Sequence, residues 1–156
     1  TGAYRVKKKI NYMAKEELIN IPLIGRILRR LGAFPVRRGK GDRGALDMAA
    51  SIVNEGKIVG IFPEGTRSAT GKPLPAKSGV AVVSARTHCD VVPASIYIEG
   101  SALRWRTRVT VRFGKAIPFE NLGLSEELAH TQLKAASAMI MQHVTELLEL
   151  GTAVKA

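Results

Sequence analysis

Residues 64–67, Glu-Gly-Thr-Arg, place a carboxylate, a glycine, a hydroxyl and a guanidinium side by side. The guanidinium of Arg67 can bind a phosphate through two parallel hydrogen bonds, and the Thr66 hydroxyl or backbone N–H groups can add donors. Glu64 can accept hydrogen bonds from substrate hydroxyl groups or orient Arg67. This combination suits the headgroup of a small polyol phosphate. The alternative is an ordinary loop in which Glu64 and Arg67 pair only with each other.

A β-strand must deliver these side chains to a binding position. Residues 57–62, Lys-Ile-Val-Gly-Ile-Phe, are mostly apolar, which predicts a strand buried on both faces. Residues 63–79 are rich in Gly, Pro and Ser and predict a loop. Ligands of α/β sheets bind beyond the carboxyl ends of the strands. We therefore expect Glu64 and Arg67 to lie at the binding edge of a sheet.

The rest of the chain alternates between strand and helix patterns. The alternation predicts a single α/β domain with a mostly parallel mixed sheet flanked by helices. Further strands are expected over residues 10–14, 33–36, 91–98 and 109–113, and helices over residues 18–31, 45–54, 80–87 and about 125–150. In the last helix we expect a cap at Ser125, Glu126 and Glu127 in the first turn, and a buried stripe. The stripe consists of Leu133, Ala136, Ile140, Val144 and Leu147.

The helix predicted over residues 18–31 has two interpretations. Pro22 suits the first turn of a helix, where its missing N–H costs nothing. The apolar side chains on one face are Ile21, Ile24, Leu28 and Leu31, and the arginines on another are Arg26, Arg29 and Arg30. The pattern favours a helix packed on the core with a basic side in water. The alternative is a helix that lies on an anionic bilayer, which basic residues beside an apolar face favour.

Length and charge limit the class of protein. The 156 residues suit one compact domain, and the formal net charge of +11 attracts anions such as acidic lipids, phosphorylated molecules or nucleic acid. Aromatic residues make up only 5%, with no zinc-finger or RNP pattern, so we expect no nucleic-acid partner. A single cysteine, Cys89, excludes an intrachain disulfide. The longest stretch without Asp, Glu, Lys or Arg, residues 135–145, is shorter than the about 20 residues that a membrane span needs.

Several blocks of the sequence resemble one enzyme family. Residues 62–68, Phe-Pro-Glu-Gly-Thr-Arg-Ser, resemble the third motif of the glycerolipid acyltransferases, which make phosphatidic acid from 1-acylglycerol-3-phosphate. Residues 32–38 resemble the second motif, in which a strand ends at a phosphate-binding arginine, here Arg38. Residues 91–94, Val-Val-Pro-Ala, resemble the fourth motif. The blocks follow the family's order, and the resemblance covers roughly residues 10–119.

The resemblance implies a substrate, a co-substrate and a set of binding residues. The acceptor would be lysophosphatidic acid, and the donor would be acyl-CoA or acyl carrier protein, with no cofactor and no metal. The expected fold is that of glycerol-3-phosphate acyltransferases, working peripherally on an anionic membrane surface at its cytoplasmic face. The substrate-binding residues would be Arg38, Glu64, Gly65, Thr66, Arg67 and Lys77. The arginines would hold the phosphate, Glu64 and Gly65 would lie near the glycerol, and Lys77 would reach phosphate or CoA, unless it is simply solvated.

The sequence departs from the family at the catalytic motif. The family's first motif is a His and an Asp separated by four residues, upstream of the second motif. The three histidines, His88, His130 and His143, all follow Arg38, and none has an Asp five positions on. No catalytic residue can therefore be assigned within these 156 residues. Because the first residue is Thr1 rather than Met, we expect an N-terminally truncated acyltransferase domain, with an inactive relative as the alternative.

The mechanism that the resemblance implies is general-base catalysis. A histidine takes the proton from the acceptor hydroxyl while an aspartate orients that histidine. The hydroxyl oxygen then attacks the thioester carbonyl carbon of the donor. The residues present in this chain would hold the acceptor for that attack.

Other patterns suggest competing functions. A basic, non-catalytic module for anionic lipid or nucleic acid would also explain the charge and the missing motif. Residues 39–44, Gly-Lys-Gly-Asp-Arg-Gly, satisfy the dinucleotide-binding pattern, and Glu64 follows 20 residues after Gly44. Residues 37 and 38, two arginines, separate that pattern from its strand, which argues against a dinucleotide-binding oxidoreductase. The tripeptide at residues 88–90, His-Cys-Asp, could bind metal, and Trp105 could anchor at a membrane interface, although both fit ordinary loops.

Overall fold

The computed structural model describes residues 9–36, 43–66, 68, 72–100, 107–125, 127 and 129–151. Strands and helices alternate, which confirms the α/β class. The strands are β1 (Ile10–Lys15), β2 (Ala33–Val36), β3 (Ile58–Gly60), β4 (Ala94–Ile98) and β5 (Val109–Phe113). The helices are α1 (Glu16–Ile19), α2 (Pro22–Leu31), α3 (Arg43–Asn54), α4 (Gly79–Thr87) and α5 (His130–Glu149), with a 3-10 turn at Phe119–Leu122.

A three-stranded sheet in the order β2-β1-β3 is parallel throughout. Tyr12 of β1 lies opposite Ala33 of β2 and Gly60 of β3. Because the three strands run in the same direction, the chain leaves β2 and β3 at the same edge of the sheet. In the described residues, β4 and β5 pair antiparallel as a separate two-stranded sheet, with Ile96 opposite Val111.

Two apolar clusters hold these layers together. The first lies between the parallel sheet and helices α3 and α4, and its buried members are Phe34, Ala49 and Val83. The second lies beneath α5, and its buried members are Ala81, Ile117, Leu122, Leu133, Ala136 and Ile140. Helix α4 contributes to both, because residues two apart on a helix point to nearly opposite sides. It therefore joins the two halves of the described chain.

Two predictions about the first half of the chain are wrong. The strand predicted over residues 57–62 covers only β3, and it is not buried on both faces. Ile58 and Phe62 are exposed, because β1 is the only strand beside β3 in the described part of the chain. The helix predicted over residues 18–31 is broken between α1 and α2. Proline disfavours a helical residue before it, and Ile21 adopts an extended conformation (φ −72°, ψ 120°) immediately before Pro22.

The last helix begins later than the sequence pattern predicts. Ser125 does not cap it; the Ser125 hydroxyl instead bonds the side-chain oxygen of Gln132 at 2.8 Å. The residue before the helix is Ala129 (φ −54°, ψ 134°), so Glu127 precedes the first turn, and Glu126 lies outside the described residues. The expected stripe is confirmed as buried at Leu133, Ala136 and Ile140 and half-buried at Val144 and Leu147.

Candidate functional site

The segment after β3 begins with a tight turn. The backbone N–H of Gly65 donates to the carbonyl of Phe62 at 3.0 Å. Gly65 has φ +66°, in the left-handed region that costs other residues free energy because Cβ meets the carbonyl oxygen. The turn therefore requires glycine at this position of the motif. Gly65 and Thr66 are exposed and accessible to a ligand.

Glu64 is half-buried and binds the backbone near the end of the loop. Its Oε2 accepts a hydrogen bond from the backbone N–H of Leu74 at 2.8 Å. Leu74 stands between Pro73 and Pro75, neither of which has an N–H, so it is the single backbone donor of that tripeptide. Neither interpretation of Glu64 from the sequence included this contact. The sequence signal for this contact was the pair of prolines on either side of Leu74, which leaves the Leu74 N–H as a backbone donor that needs an acceptor.

Lys77 connects the end of the loop after β3 to the start of that loop. Its backbone N–H donates to the carbonyl of Pro63 at 2.8 Å. Its side chain runs alongside Gly65: a Cβ placed on Gly65 would stand 3.0 Å from the Lys77 Cδ and 3.3 Å from its Nζ. The ammonium group is thus held next to the glycine of the motif, with Lys77 exposed to solvent. A small ligand at this turn would contact the Lys77 ammonium group and the exposed backbone of Gly65 and Thr66.

The structure brings together Glu64, Gly65, Thr66 and Lys77, four of the six predicted binding residues. The other two, Arg38 and Arg67, lie outside the described residues, as do Trp105 and most of the glycine pattern at residues 39–44.

The tripeptide at residues 88–90 has structural contacts that account for it. The His88 ring lies 4.7 Å from the Phe119 ring, and Asp90 Oδ1 accepts the Phe119 backbone N–H at 3.1 Å. The carbonyl of Cys89 accepts the Ser84 hydroxyl at 2.6 Å. Among the described residues, no group of three His, Cys, Asp or Glu side chains is arranged to hold a metal ion.

An open groove of about 530 Å³ lies between α5 and the chain that follows β5. Its lining includes Pro93 of the fourth motif and the side chains of His143 and Glu146, whose closest atoms are 3.4 Å apart. No described residue of the loop after β3 lines it. In the described part of the chain, no helix is both long and apolar enough to cross a membrane.

Comparisons with known proteins agree with the motif blocks. Residues 2–97, more than half of the chain, match the acyltransferase family. A 1-acyl-sn-glycerol-3-phosphate acyltransferase of Bacillus subtilis (strain 168) is 30% identical over 141 residues, which cover 89% of this chain and 69% of that protein. An enzyme of the same name from Cocos nucifera is 27% identical over 145 residues, 86% of this chain and 46% of its own length.

The fold agrees as well. The crystal structure of PlsC, the 1-acyl-sn-glycerophosphate acyltransferase from Thermotoga maritima, superposes with a TM-score of 0.62 at 27% identity. The match covers 94% of this chain and 59% of that one, so the chain spans about half to two-thirds of the length of these relatives. These matches favour an acyltransferase over the dinucleotide-binding and nucleic-acid-binding alternatives. The chain belongs to the acyltransferase family, with glycerolipid acyltransferases that act on 1-acylglycerol phosphates among its relatives.

Proposed function

We propose that this chain forms the acceptor site of an enzyme that transfers a fatty acyl group to 1-acylglycerol-3-phosphate. The product would be phosphatidic acid, and the donor would be acyl-CoA or acyl carrier protein, without a cofactor. The observation that carries the proposal is the position of the Lys77 ammonium beside Gly65, at the sheet edge where the motif strand ends. The relatives named above are 1-acyl-sn-glycerol-3-phosphate acyltransferases, which fits this chemistry.

The topology supports one shared headgroup site. Strands β2 and β3 lie on either side of β1, about 10 Å from each other at the spacing of neighbouring strands, and β2 ends opposite Lys15 while β3 ends opposite Tyr12. The strand β2 ends at Val36, two residues before Arg38, and β3 ends at Gly60, four residues before Glu64. Residues that follow the two strands can therefore reach a single glycerol phosphate. We assign Arg38 and Arg67 to its phosphate on the strength of the motif resemblance.

The described residues have distinct proposed roles. Lys77 supplies a point charge to the phosphate, and Thr66 supplies a hydroxyl donor. Gly65 allows the headgroup to approach the backbone, since it has no side chain in the way. Glu64 holds the loop through Leu74, and its second carboxylate oxygen can accept a hydrogen bond from the glycerol hydroxyl.

The chemical step needs a base that is not among these residues. The acceptor hydroxyl loses its proton as its oxygen attacks the thioester carbonyl carbon, and the carbon–sulfur bond breaks to release the thiol. By resemblance, a histidine oriented by an aspartate takes that proton. We further propose that the reaction takes place at an anionic membrane surface, on its cytoplasmic face, because the acceptor is a lipid and the chain has a net charge of +11.

Headgroup binding tests the proposal without requiring catalysis. Glycerol 3-phosphate is titrated into the 156-residue protein, and binding is followed by calorimetry. We expect Lys77→Ala to weaken binding about three- to tenfold, because one charged hydrogen bond to the phosphate is lost. Lys134→Ala, which removes an exposed lysine on α5, is the matched control and should leave affinity unchanged. Equal affinities for all three proteins, or equal binding of glycerol, would contradict the proposal.

A further inference from the structure

Helix α2 presents an apolar stripe to solvent. Leu23, Ile27 and Leu31 are 69%, 51% and 63% exposed, and Ile24 beside them is 43% exposed. The sequence pattern predicts that Ile21, Ile24, Leu28 and Leu31 face the core. Of these four, Leu28 is half-buried and the other three are exposed. The interpretation of α2 as a helix that packs these side chains inward is therefore wrong. A rigid exposed apolar surface of this kind marks a site of interaction.

The stripe is bordered by positive charge. At about 100° per residue, the four exposed apolar side chains span roughly 100° of the helix. Arg30 and Arg26 follow directly on one flank of this arc, and both are exposed. Helix α2 contains no acidic residue; the nearest ones in sequence, Glu16 and Glu17, lie on α1.

The stripe faces away from the rest of the protein, because the opposite side of α2 packs against α1. Gly25 is buried so closely against α1 that a Cβ there would stand 1.8 Å from the Ile19 carbonyl oxygen. The Arg29 guanidinium donates to the same carbonyl at 3.0 Å. At the end of α2, the Lys9 ammonium donates to the carbonyls of Arg29 and Arg30.

We infer that the α2 stripe, defined as Leu23, Ile24, Ile27 and Leu31, is the surface by which this protein lies on an anionic lipid membrane. The apolar side chains enter the boundary between headgroups and acyl chains, while Arg26 and Arg30 bind lipid phosphates. A second copy of the chain fits less well, because face-to-face packing would bring the arginines of both copies together with no acidic residue on α2 to pair them. The inference deepens the proposed function and rests on its lipid substrate.

Vesicle flotation tests the surface directly. The 156-residue protein is mixed with vesicles of phosphatidylcholine alone or with about one-third phosphatidylglycerol, an anionic lipid. We expect strong flotation only with the anionic vesicles. Leu23→Gln with Leu31→Gln should weaken that binding by at least about tenfold, since two apolar side chains no longer leave water. Arg26→Gln with Arg30→Gln should weaken it by about thirtyfold through the loss of two basic charges near the membrane surface.

Two double variants serve as matched controls. Ile96→Gln with Val111→Gln changes an exposed apolar pair on β4 and β5, about half exposed at each position, and Lys57→Gln with Lys134→Gln removes two exposed charges elsewhere. Both should bind anionic vesicles within about twofold of the unaltered protein, since surface changes away from the contact have small effects. Circular dichroism and the urea midpoint confirm that every variant is folded. Equal losses in the controls and the α2 variants would overturn the assignment.

Self-association gives a second decisive readout. If the unaltered protein dimerises in solution and Leu23→Gln with Leu31→Gln abolishes the dimer without reducing flotation, the stripe is a protein interface and the inference is wrong. Glycerol 3-phosphate binding in lipid-free buffer separates this result from the proposed function. The α2 variants should retain that binding, whereas Lys77→Ala should weaken it about three- to tenfold while keeping flotation.

Discussion

The carboxylate of Glu64 accepts a hydrogen bond from the backbone N–H of Leu74, ten residues further along the chain, at 2.8 Å. This bond joins the start of the motif at residues 62–68 to the far part of the loop that follows β3. The motif carboxylate thus has a structural function whatever it also does for a substrate. Together with the bond from the Lys77 N–H to the Pro63 carbonyl, it determines the shape of the surface that a headgroup would meet.

Glu64→Ala should lower the free energy of unfolding by about 1–2 kcal/mol, because a hydrogen bond to a charged acceptor is lost and the Leu74 N–H is left unpaired. Glu64→Gln retains an acceptor oxygen and should cost less than half as much. Urea denaturation measures both, and Glu127→Ala, at an exposed position, is the control. Equal effects of Ala and Gln at residue 64 would show that the hydrogen bond does not stabilise the loop.

Gly65→Ala should act in two separable ways. The left-handed conformation costs about 1 kcal/mol with any Cβ, and Gly56→Ala, at φ +71° where a new Cβ would meet no atom within 4 Å, should show that cost alone. Only Gly65→Ala displaces the Lys77 side chain, so it alone should weaken glycerol 3-phosphate binding. In a Lys77→Ala background, Gly65→Ala should weaken binding less than it does in the unaltered protein, because only its obstruction of the headgroup's approach to the backbone remains. Calorimetric titration of the four variants checks this coupling.

Gly25→Ala should reduce the unfolding free energy by about 1–3 kcal/mol, because the new methyl group collides with the Ile19 carbonyl and α2 must move off α1. Gly79→Ala, also in a helix, meets nothing closer than a Leu46 methyl at 3.5 Å and should be neutral to slightly stabilising. Thermal and urea unfolding of both variants measure the contrast. A stable Gly25→Ala protein would mean that α2 is not held against Ile19.

Two buried serines should respond to alanine in opposite directions. Ser84 donates to the Cys89 carbonyl at 2.6 Å, so Ser84→Ala should cost about 1 kcal/mol. Ser95 is equally buried, yet its hydroxyl has no partner within the described chain. Ser95→Ala should therefore be neutral or stabilising by up to about 1 kcal/mol. Chemical denaturation in parallel distinguishes them, and a comparable loss at both positions would refute the difference.

The 156-residue protein should form no phosphatidic acid above background from lysophosphatidic acid and acyl-CoA. The reason is that these residues contain no His followed five positions later by Asp, and general-base catalysis supplies about 10²–10⁴-fold in rate. Thiol release and product chromatography measure the reaction, with the same protein shown to bind glycerol 3-phosphate. Measurable transfer would mean that another residue acts as the base.

The amino-acid sequence alone determined the fold class, the family and four strands at nearly their observed positions. It did so because these depend on local patterns: alternating or continuous apolar runs, a proline at the start of α2, and motif segments in a fixed order. The residues that form the loop after β3 were predicted for the same reason. The sequence also contained the signal for the break between α1 and α2, because proline disfavours a helical residue before it. The prediction of one continuous helix over residues 18–31 instead followed the longer apolar pattern.

Only the tertiary structure decided which side chains meet. The Glu64–Leu74 bond, the position of Lys77 beside Gly65 and the contact of Gly25 with Ile19 that orients the α2 stripe are specific contacts between residues, and periodicity carries no information about them. An amphipathic pattern shows that a helix has an apolar face but not what covers that face. Here the buried Gly25 turns the other side of α2 toward α1, and the apolar side chains are left facing solvent.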